Sequence, residues 1–123
     1  MPLVVHHRLP VPGVDRIDSH ELALLTVTAA MAHPLRDETI VVLLDDDQRG
    51  VAMVVVSGTV RPDSVVDVLE CLTRPEVHDG LVAAAIVASV RPGRGVCEAD
   101  VDRWLELSDV ADDHGIDLIE WFV

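Results

Sequence analysis

The sequence predicts a single-domain α/β protein in which helices flank a mixed β-sheet, as a three-layer or two-layer sandwich. Half of the 123 residues are hydrophobic, which is enough for one well-packed core. Three continuous apolar runs have the β-branched or small-residue composition of buried strands, and stretches with helical spacing lie around them. We therefore expect an N-terminal arm over residues 1–17 and one domain over residues 18–123.

The first predicted helix spans residues 19–32 and follows the arm directly. Asp18 and Glu21 have the spacing of a capping box. The helix is apolar at so many positions that we expect it to be covered on most sides. Residues 39–44 and 51–57 are two apolar runs separated by an acidic turn, a pattern typical of an antiparallel hairpin.

The second half of the chain continues the alternation of helices and strands. Pro62 stands where a helix begins, and the apolar residues after it predict a helix to about residue 72. Residues 81–89 are expected to form a third buried strand, whose small alanines favour close packing by helices. Residues 116–123 form the last predicted strand, so the expected order is α-β-β-α-β-α-β.

The last helix is predicted over residues 98–114, with Gly115 as its C-terminal cap. Apolar residues at steps of three, four and seven mark its expected buried face, which consists of Val101, Trp104, Leu105 and Ala111. A second face is acidic and consists of Asp102, Glu106, Asp109 and Asp113. That face is either a solvated surface or a docking surface for a basic partner.

Charge and composition argue against several classes of partner and of chemistry. The chain carries 22 acidic residues against 9 arginines and no lysine, for a net charge of −13. Such a chain repels phosphate backbones and anionic bilayers, so we expect neither nucleic acid nor membrane as a partner. The absence of lysine excludes Schiff-base chemistry and a Walker-type phosphate loop. Cys71 and Cys97 have no metal-binding spacing, and no spanning stretch or signal peptide is evident, so a cytoplasmic location is expected.

From Glu38 onward, the order and spacing of short motifs resembles the RadC-like branch of the JAB/MPN domains, a metalloprotease-like family. The resemblance covers about two thirds of the chain. The matching pieces are Glu38, Leu44-Asp45, Gly58-Thr59, the Ala-rich stretch 81–89, Arg91-Pro92-Gly93, Cys97-x-x-Asp100 and the closing run Gly115-Ile116-Asp117-Leu118-Ile119-Glu120-Trp121. The resemblance implies a JAB/MPN-like fold. A cytidine-deaminase-like fold has much the same element order and is the alternative, although the zinc signature of that fold is missing.

The residues that carry the family's chemistry are mostly replaced. In active members two His and an Asp bind zinc, a Glu acts as general base, and a Ser helps to hold the oxyanion. Here Ser89 and Arg91 stand at the two His positions and Cys97 at the Ser position, whereas Glu38 and Asp100 keep the family's residue type. Because arginine stays protonated and does not bind zinc, the resemblance implies a degenerate site without a metal or other cofactor.

Several residues have two open interpretations. The Arg91 guanidinium either replaces the zinc and pairs with Asp100, and also with Glu38, or is exposed in a Gly-rich loop. Cys97 is either a nucleophile near a helix N-terminus, which His78 or His114 could approach in the fold, or a small apolar plug. The acidic turn 45–47 is either a solvated turn or a site for a hard cation, although EF-hand spacing is absent.

Three functions follow from these patterns. The first is a non-catalytic, metal-free module for protein interaction or assembly, as a homodimer or with another protein. The second is an isopeptidase-like hydrolase with zinc on Asp100, Cys97 and a His from elsewhere, and with Glu38 as base. The third is a domain that binds a small anion in the loop 91–95, which contains two Arg and two Gly.

Overall fold

A four-stranded mixed sheet lies between helices on both of its faces. The structure is a computed structural model that describes residues 9–123, so the first eight residues of the predicted arm lie outside the described part. The elements in chain order are α1 (His20–Ala30), β1 (Glu38–Leu44), β2 (Gly50–Ser57), α2 (Ser64–Thr73), α3 (Pro75–His78), β3 (Ala84–Val90), α4 (Asp100–Asp113) and β4 (Asp117–Phe122). The predicted order is confirmed, with the short α3 as an addition.

The sheet has the strand order β2-β1-β3-β4. β1 pairs antiparallel with both β2 and β3, whereas β3 and β4 are parallel and are connected through α4. The predicted hairpin is confirmed, and its turn requires a left-handed residue, Gln48 at φ 64°. The α/β class and the mixed sheet are therefore as the sequence predicts.

The two central strands explain why their sequences are continuous apolar runs. All seven residues of β1 and all seven of β3 are buried, because helices cover both faces of the sheet. Alternate side chains enter two separate cores. Ile40 and Ile86 pack with α1 on one face, whereas Val41 and Val87 pack with Leu69 of α2, and with α4, on the other.

The first helix differs from its prediction in two respects. Its N-cap is Ser19, whose Oγ accepts a hydrogen bond from Leu22 N at 3.1 Å, and not Asp18. Only Ala23 and Val27 are buried along the helix, and Leu24 is exposed. The expectation of cover on most sides is wrong because α1 rests with one face on the sheet.

The buried face of α4 is also not the predicted one. Val101, Leu105 and Trp104 are 68%, 56% and 39% exposed, and of the four predicted residues Ala111 is the one that is buried. The inward face begins with Asp100 and continues through Leu107, so a buried charge takes a position that the periodicity assigns to an apolar residue. The predicted C-terminal cap is confirmed, since φ of Gly115 is 72° and Ile116 N donates to Ala111 O at 2.8 Å.

The remaining differences concern boundaries and lengths. β3 begins at Ala84 instead of residue 81, because α3 and a left-handed turn at Asp79 and Gly80 precede it, and Leu81 is exposed. The longest helix, α4, has 14 residues. In the described residues 9–123, no helix has both the length and the apolar character needed to cross a bilayer.

Candidate functional site

Most of the residues singled out from the sequence lie at one end of the strands of the sheet. β1 begins there and β3 and β4 end there, since Glu38 is in register with Val90, and Ala88 with Phe122. Arg91 follows β3 directly, and α4 begins nearby at Asp100. Ligand sites in such α/β sheets usually lie at the ends of strands, so this end of the sheet is the candidate site.

Arg91 and Asp100 form a buried, bidentate ion pair. Arg91 Nη1 donates to Asp100 Oδ2 at 2.8 Å, and Nη2 donates to Oδ1 at 3.0 Å. Their side chains are 8% and 5% exposed. The Arg91 guanidinium is therefore turned inward onto Asp100 and is not exposed in the loop. Such two-bond pairs are the strongest and most directional ion pairs in proteins.

Both oxygens of Asp100 have a second donor. Arg103 Nη1 donates to Oδ1 and Cys97 N donates to Oδ2, each at 2.8 Å. Asp100 N donates in turn to Cys97 O at 3.0 Å, so the Cys97-x-x-Asp100 spacing closes the turn that starts α4. The hydrogen bonds from Arg91 hold the pKa of Asp100 well below its usual range, and those from Cys97 N and Arg103 add to this effect against the opposing influence of burial.

Arg103 extends this cluster to the neighbouring helix. Its Nε donates to Asp63 Oδ1 at 2.9 Å, just before the start of α2, and this bond raises the pKa of the guanidinium above its usual value. The sequence reasoning missed both residues. For Arg103 a signal exists, because it lies three residues after Asp100 on the same helix. For Asp63, which is 40 residues away along the chain, no local pattern indicates the contact.

Trp121 and Ser89 complete the surroundings of Arg91. Trp121 Nε1 donates to Ser89 Oγ at 3.0 Å. The guanidinium carbon of Arg91 lies 5.9 Å from the centre of the Trp121 ring, within cation–π range. Ser89 and Arg91, which the resemblance aligns with zinc-binding histidines, therefore both have partners within this chain.

Glu38 lies on the opposite face of the sheet. It shares the α1 side with Ile40 and its Oε1 accepts from Ala32 N at 3.1 Å, just after α1. Its Oε2 accepts from Ser57 Oγ at 3.5 Å and lies 3.8 Å from Arg36 Nε. The hypothesis that Arg91 also pairs with Glu38 does not match these contacts. Glu38 and Arg91 line one small cavity at this end of the sheet, but the hydrogen bonds of Glu38 go to Ala32 N and Ser57 Oγ.

The two histidines considered as neighbours of Cys97 lie at the other end of the α2–α4 layer. His114 Nδ1 is 2.8 Å from Thr73 Oγ1, and His78 Nε2 is 3.1 Å from Thr73 O. His114 follows the last residue of α4, whereas Asp100 is the first, which places about 20 Å between them. Among the described residues, no group of three or more His, Cys, Asp or Glu side chains could hold a metal ion.

The residues that the resemblance would align with a zinc site do not fit a zinc ion. Every acceptor position of Asp100 faces a guanidinium or a backbone N–H, and Arg91 brings a positive charge of its own. Cys97 is exposed, and its Sγ lies 3.3 Å from Arg103 Nη1. No step of a metal-dependent reaction can be assigned to this arrangement.

Charged side chains at the other candidate ligand sites also bind partners within the chain. In the loop 91–95, Arg94 pairs with Asp37, so both arginines of the loop are bound to carboxylates. In the hairpin turn, Asp45 Oδ1 accepts from Asp47 N and Arg49 N, each at 2.9 Å. These contacts explain the turn residues structurally, without a bound cation or anion.

Two of the exposed apolar surfaces in the described part of the chain have several large side chains on one element. We call the first the α4 stripe; it consists of Val101, Trp104 and Leu105. We call the second the β2 edge; it consists of residues 51–57 of the outer strand, with Val51, Met53 and Val55 exposed on the α1 side. A groove of about 320 Å³ lies beside the β2 edge, and none of the described residues that line it is charged.

Comparisons of the chain with protein-family models, with curated proteins and with solved structures found no match.

Proposed function

We propose that the chain is a metal-free, non-catalytic domain of the RadC-like JAB/MPN type that serves as an interaction and assembly module and forms a homodimer. The observation that carries the non-catalytic part is the bidentate pair of Arg91 and Asp100. The pair holds a permanent positive charge between two carboxylate oxygens, and the resemblance would align this position with the zinc of active members. The charge balance of the site is kept while the open coordination position that hydrolysis needs is lost.

The element order supports the assignment to this type of domain. The resemblance implies a strand after Glu38, a turn, a strand that ends before Gly58-Thr59, a helix, an Ala-rich strand, a helix and a closing strand. The observed β1, β2, α2, β3, α4 and β4 follow in that order. Cys97 and Gly115, whose spacing matches the family's Ser and Gly, lie just before and just after α4.

The exposed apolar surfaces support the assembly part. A net charge of −13 opposes the association of two copies, and the repulsion is weaker where they meet through uncharged surface. The β2 edge and its groove provide such a surface, and exposed apolar patches of this kind often mark interaction sites. The hydrolase with a rearranged zinc site and the anion-binding loop have no contact in the described residues that favours them, and the cytoplasmic location stays a prediction.

Sedimentation velocity of the untagged protein over a wide concentration range tests this proposal. We expect a species of twice the 13.4 kDa chain mass that dissociates on dilution. Because two acidic copies repel each other, raising the salt from about 0.05 M to 0.5 M should strengthen the dimer through screening. A single 13.4 kDa species at every concentration and salt would contradict the homodimer.

A further inference from the structure

We propose that the β2 edge is the interface of the homodimer, with the β2 strands of two copies paired antiparallel so that their sheets join into one of eight strands. This inference rests on the proposed assembly function and names the surface that performs it. Three features of the β2 edge favour a second copy of this chain as its partner. They are the direction of its backbone N–H and C=O groups, its lack of charge and its complementarity to itself.

The backbone direction follows from the register. Gly58 N donates to Asp37 O at 2.9 Å across the start of the hairpin ladder. Residues in an antiparallel ladder alternate between bonded and non-bonded pairs, so Ala52, Val54 and Val56 bond to β1. The residues of β1 that do not bond to β2 should bond to β3 on the other side. Leu44 is one of them, and its carbonyl oxygen accepts from Ala83 N at 2.8 Å.

The N–H and C=O groups of Met53, Val55 and Ser57 therefore point away from the sheet. In the described part of the chain none of these six groups has a hydrogen-bond partner. The arm occupies the outer side of the hairpin before this point, where Ile17 N donates to Gln48 O and Gly13 N to Gly50 O. Among residues 9–123, no strand pairs with the outer side of residues 53–57.

The charge of this surface suits a second copy of the same chain. Residues 50–57 contain no charged side chain, and within residues 9–123 none of those that line the adjacent groove is charged. The residues by which edge strands usually prevent such pairing, Lys, Pro or an inward charge, are absent from this strand. The α4 stripe is a less suitable interface between copies, because Asp102, Glu106 and Asp109 on the same helix would face their equivalents.

The strand is also complementary to itself. With the two-fold axis at Val55, the Val55 residues of the two copies face each other and Met53 of each copy faces Ser57 of the other. All three outward residues then form hydrogen-bonded pairs, and the exposed Met53 and Val55 side chains of both copies lie on one continuous face. A two-fold dimer buries the same surface on both copies, so no open edge is left to extend the assembly at β2.

Val55→Pro tests the inference, because it removes an N–H that points outward and leaves the ladder with β1 intact. We expect the variant to raise the dimer Kd by about 30-fold or more in sedimentation equilibrium, since two symmetry-related hydrogen bonds are lost. Met53→Lys, which places a charge on the same edge without a backbone change, should weaken the dimer as well. Leu105→Glu on the α4 stripe is the matched control and should leave the Kd unchanged.

Amide hydrogen exchange provides a readout that does not depend on a variant. Protection of Val55 N–H should rise with protein concentration, whereas Val54 N–H, bonded to β1, should be protected at every concentration. A dimer that persists in Val55→Pro and Met53→Lys overturns the β2 interface, and loss of that dimer in Leu105→Glu would assign it to the α4 stripe while the assembly function stands. A wild-type chain that is monomeric at all concentrations overturns the homodimer and the β2 interface together.

Discussion

Arg91 and Asp100 join the end of β3 to the first residue of α4 through two hydrogen bonds of 2.8 and 3.0 Å. The pair is buried, and Trp121 lies beside the guanidinium. An unpaired carboxylate at this depth would be costly, so the position of Asp100 depends on the arginine. The same contact fixes the start of the helix that crosses over from β3 to β4.

Replacement of Arg91 should destabilise the fold. We expect Arg91→Ala to lower the free energy of unfolding by about 3 kcal/mol, because Asp100 stays buried and keeps only Arg103 and Cys97 N as donors. Arg91→Lys should cost less, since the charge is kept and the bidentate geometry is lost. Chemical denaturation followed by circular dichroism measures both values.

Arg94 provides the matched control for Arg91. It lies in the same loop and also pairs with a carboxylate, that of Asp37, but its side chain is 45% exposed. Arg94→Ala should therefore change the free energy of unfolding by about 1 kcal/mol or less. Equal losses in the two variants would show that burial of the Arg91–Asp100 pair has no special weight.

The Asp100 carboxylate should give a pH-dependent share of the stability. Its pKa in the folded protein lies below the unfolded value of about 4, so the folded state favours the ionised form. Its contribution is complete above the unfolded pKa and is lost as the pH falls through the folded pKa. We expect the difference in unfolding free energy between wild type and Asp100→Asn to be constant from about pH 5 to 7 and to shrink steadily below about pH 4. A difference that does not change down to pH 2 would contradict this assignment.

Glu38 should act as a structural acceptor on the α1 side of the sheet. Glu38→Ala leaves Ala32 N without its partner and should cost about 1–3 kcal/mol in unfolding free energy. Glu38→Gln keeps an acceptor oxygen for that N–H and should cost clearly less. Glu70→Ala, which breaks an exposed pair with Arg74, is the control and should be within about 0.5 kcal/mol of wild type. A Glu38→Gln variant as unstable as Glu38→Ala would show that the charge, and not the acceptor, is what the site requires.

Much of the fold could be predicted because the local patterns agree with it. The runs at β1 and β3 are apolar throughout since both faces of these strands are covered, and the acidic turn and Gly115 have the local geometry that their residue types indicate. The buried face of α4 could not be predicted from hydrophobicity. Asp100 and Arg103 take inward positions through their ion pairs, which leaves Trp104 and its apolar neighbours on the surface.

Part of the candidate site was also predictable from the sequence. The pairing of Arg91 with Asp100 follows from the need of a buried carboxylate for a positive partner. The bond from Arg103 to Asp63 depends on how α2 and α4 pack, and no local spacing encodes it. Glu38 lies close to the site in register, but strand alternation turns its side chain to the other face, because its partner in β3 is Val90 and not Ser89.

The zinc content of the untagged protein, combined with a zinc titration followed by thermal unfolding, tests most directly whether Arg91 has replaced the metal. Because both Asp100 oxygens are bound by guanidinium and N–H donors, we predict no stoichiometric zinc after purification and no rise in Tm on titration. One tightly held zinc per chain, with a Tm that rises as zinc is added, would contradict the account, since a metal that binds the folded state must stabilise it.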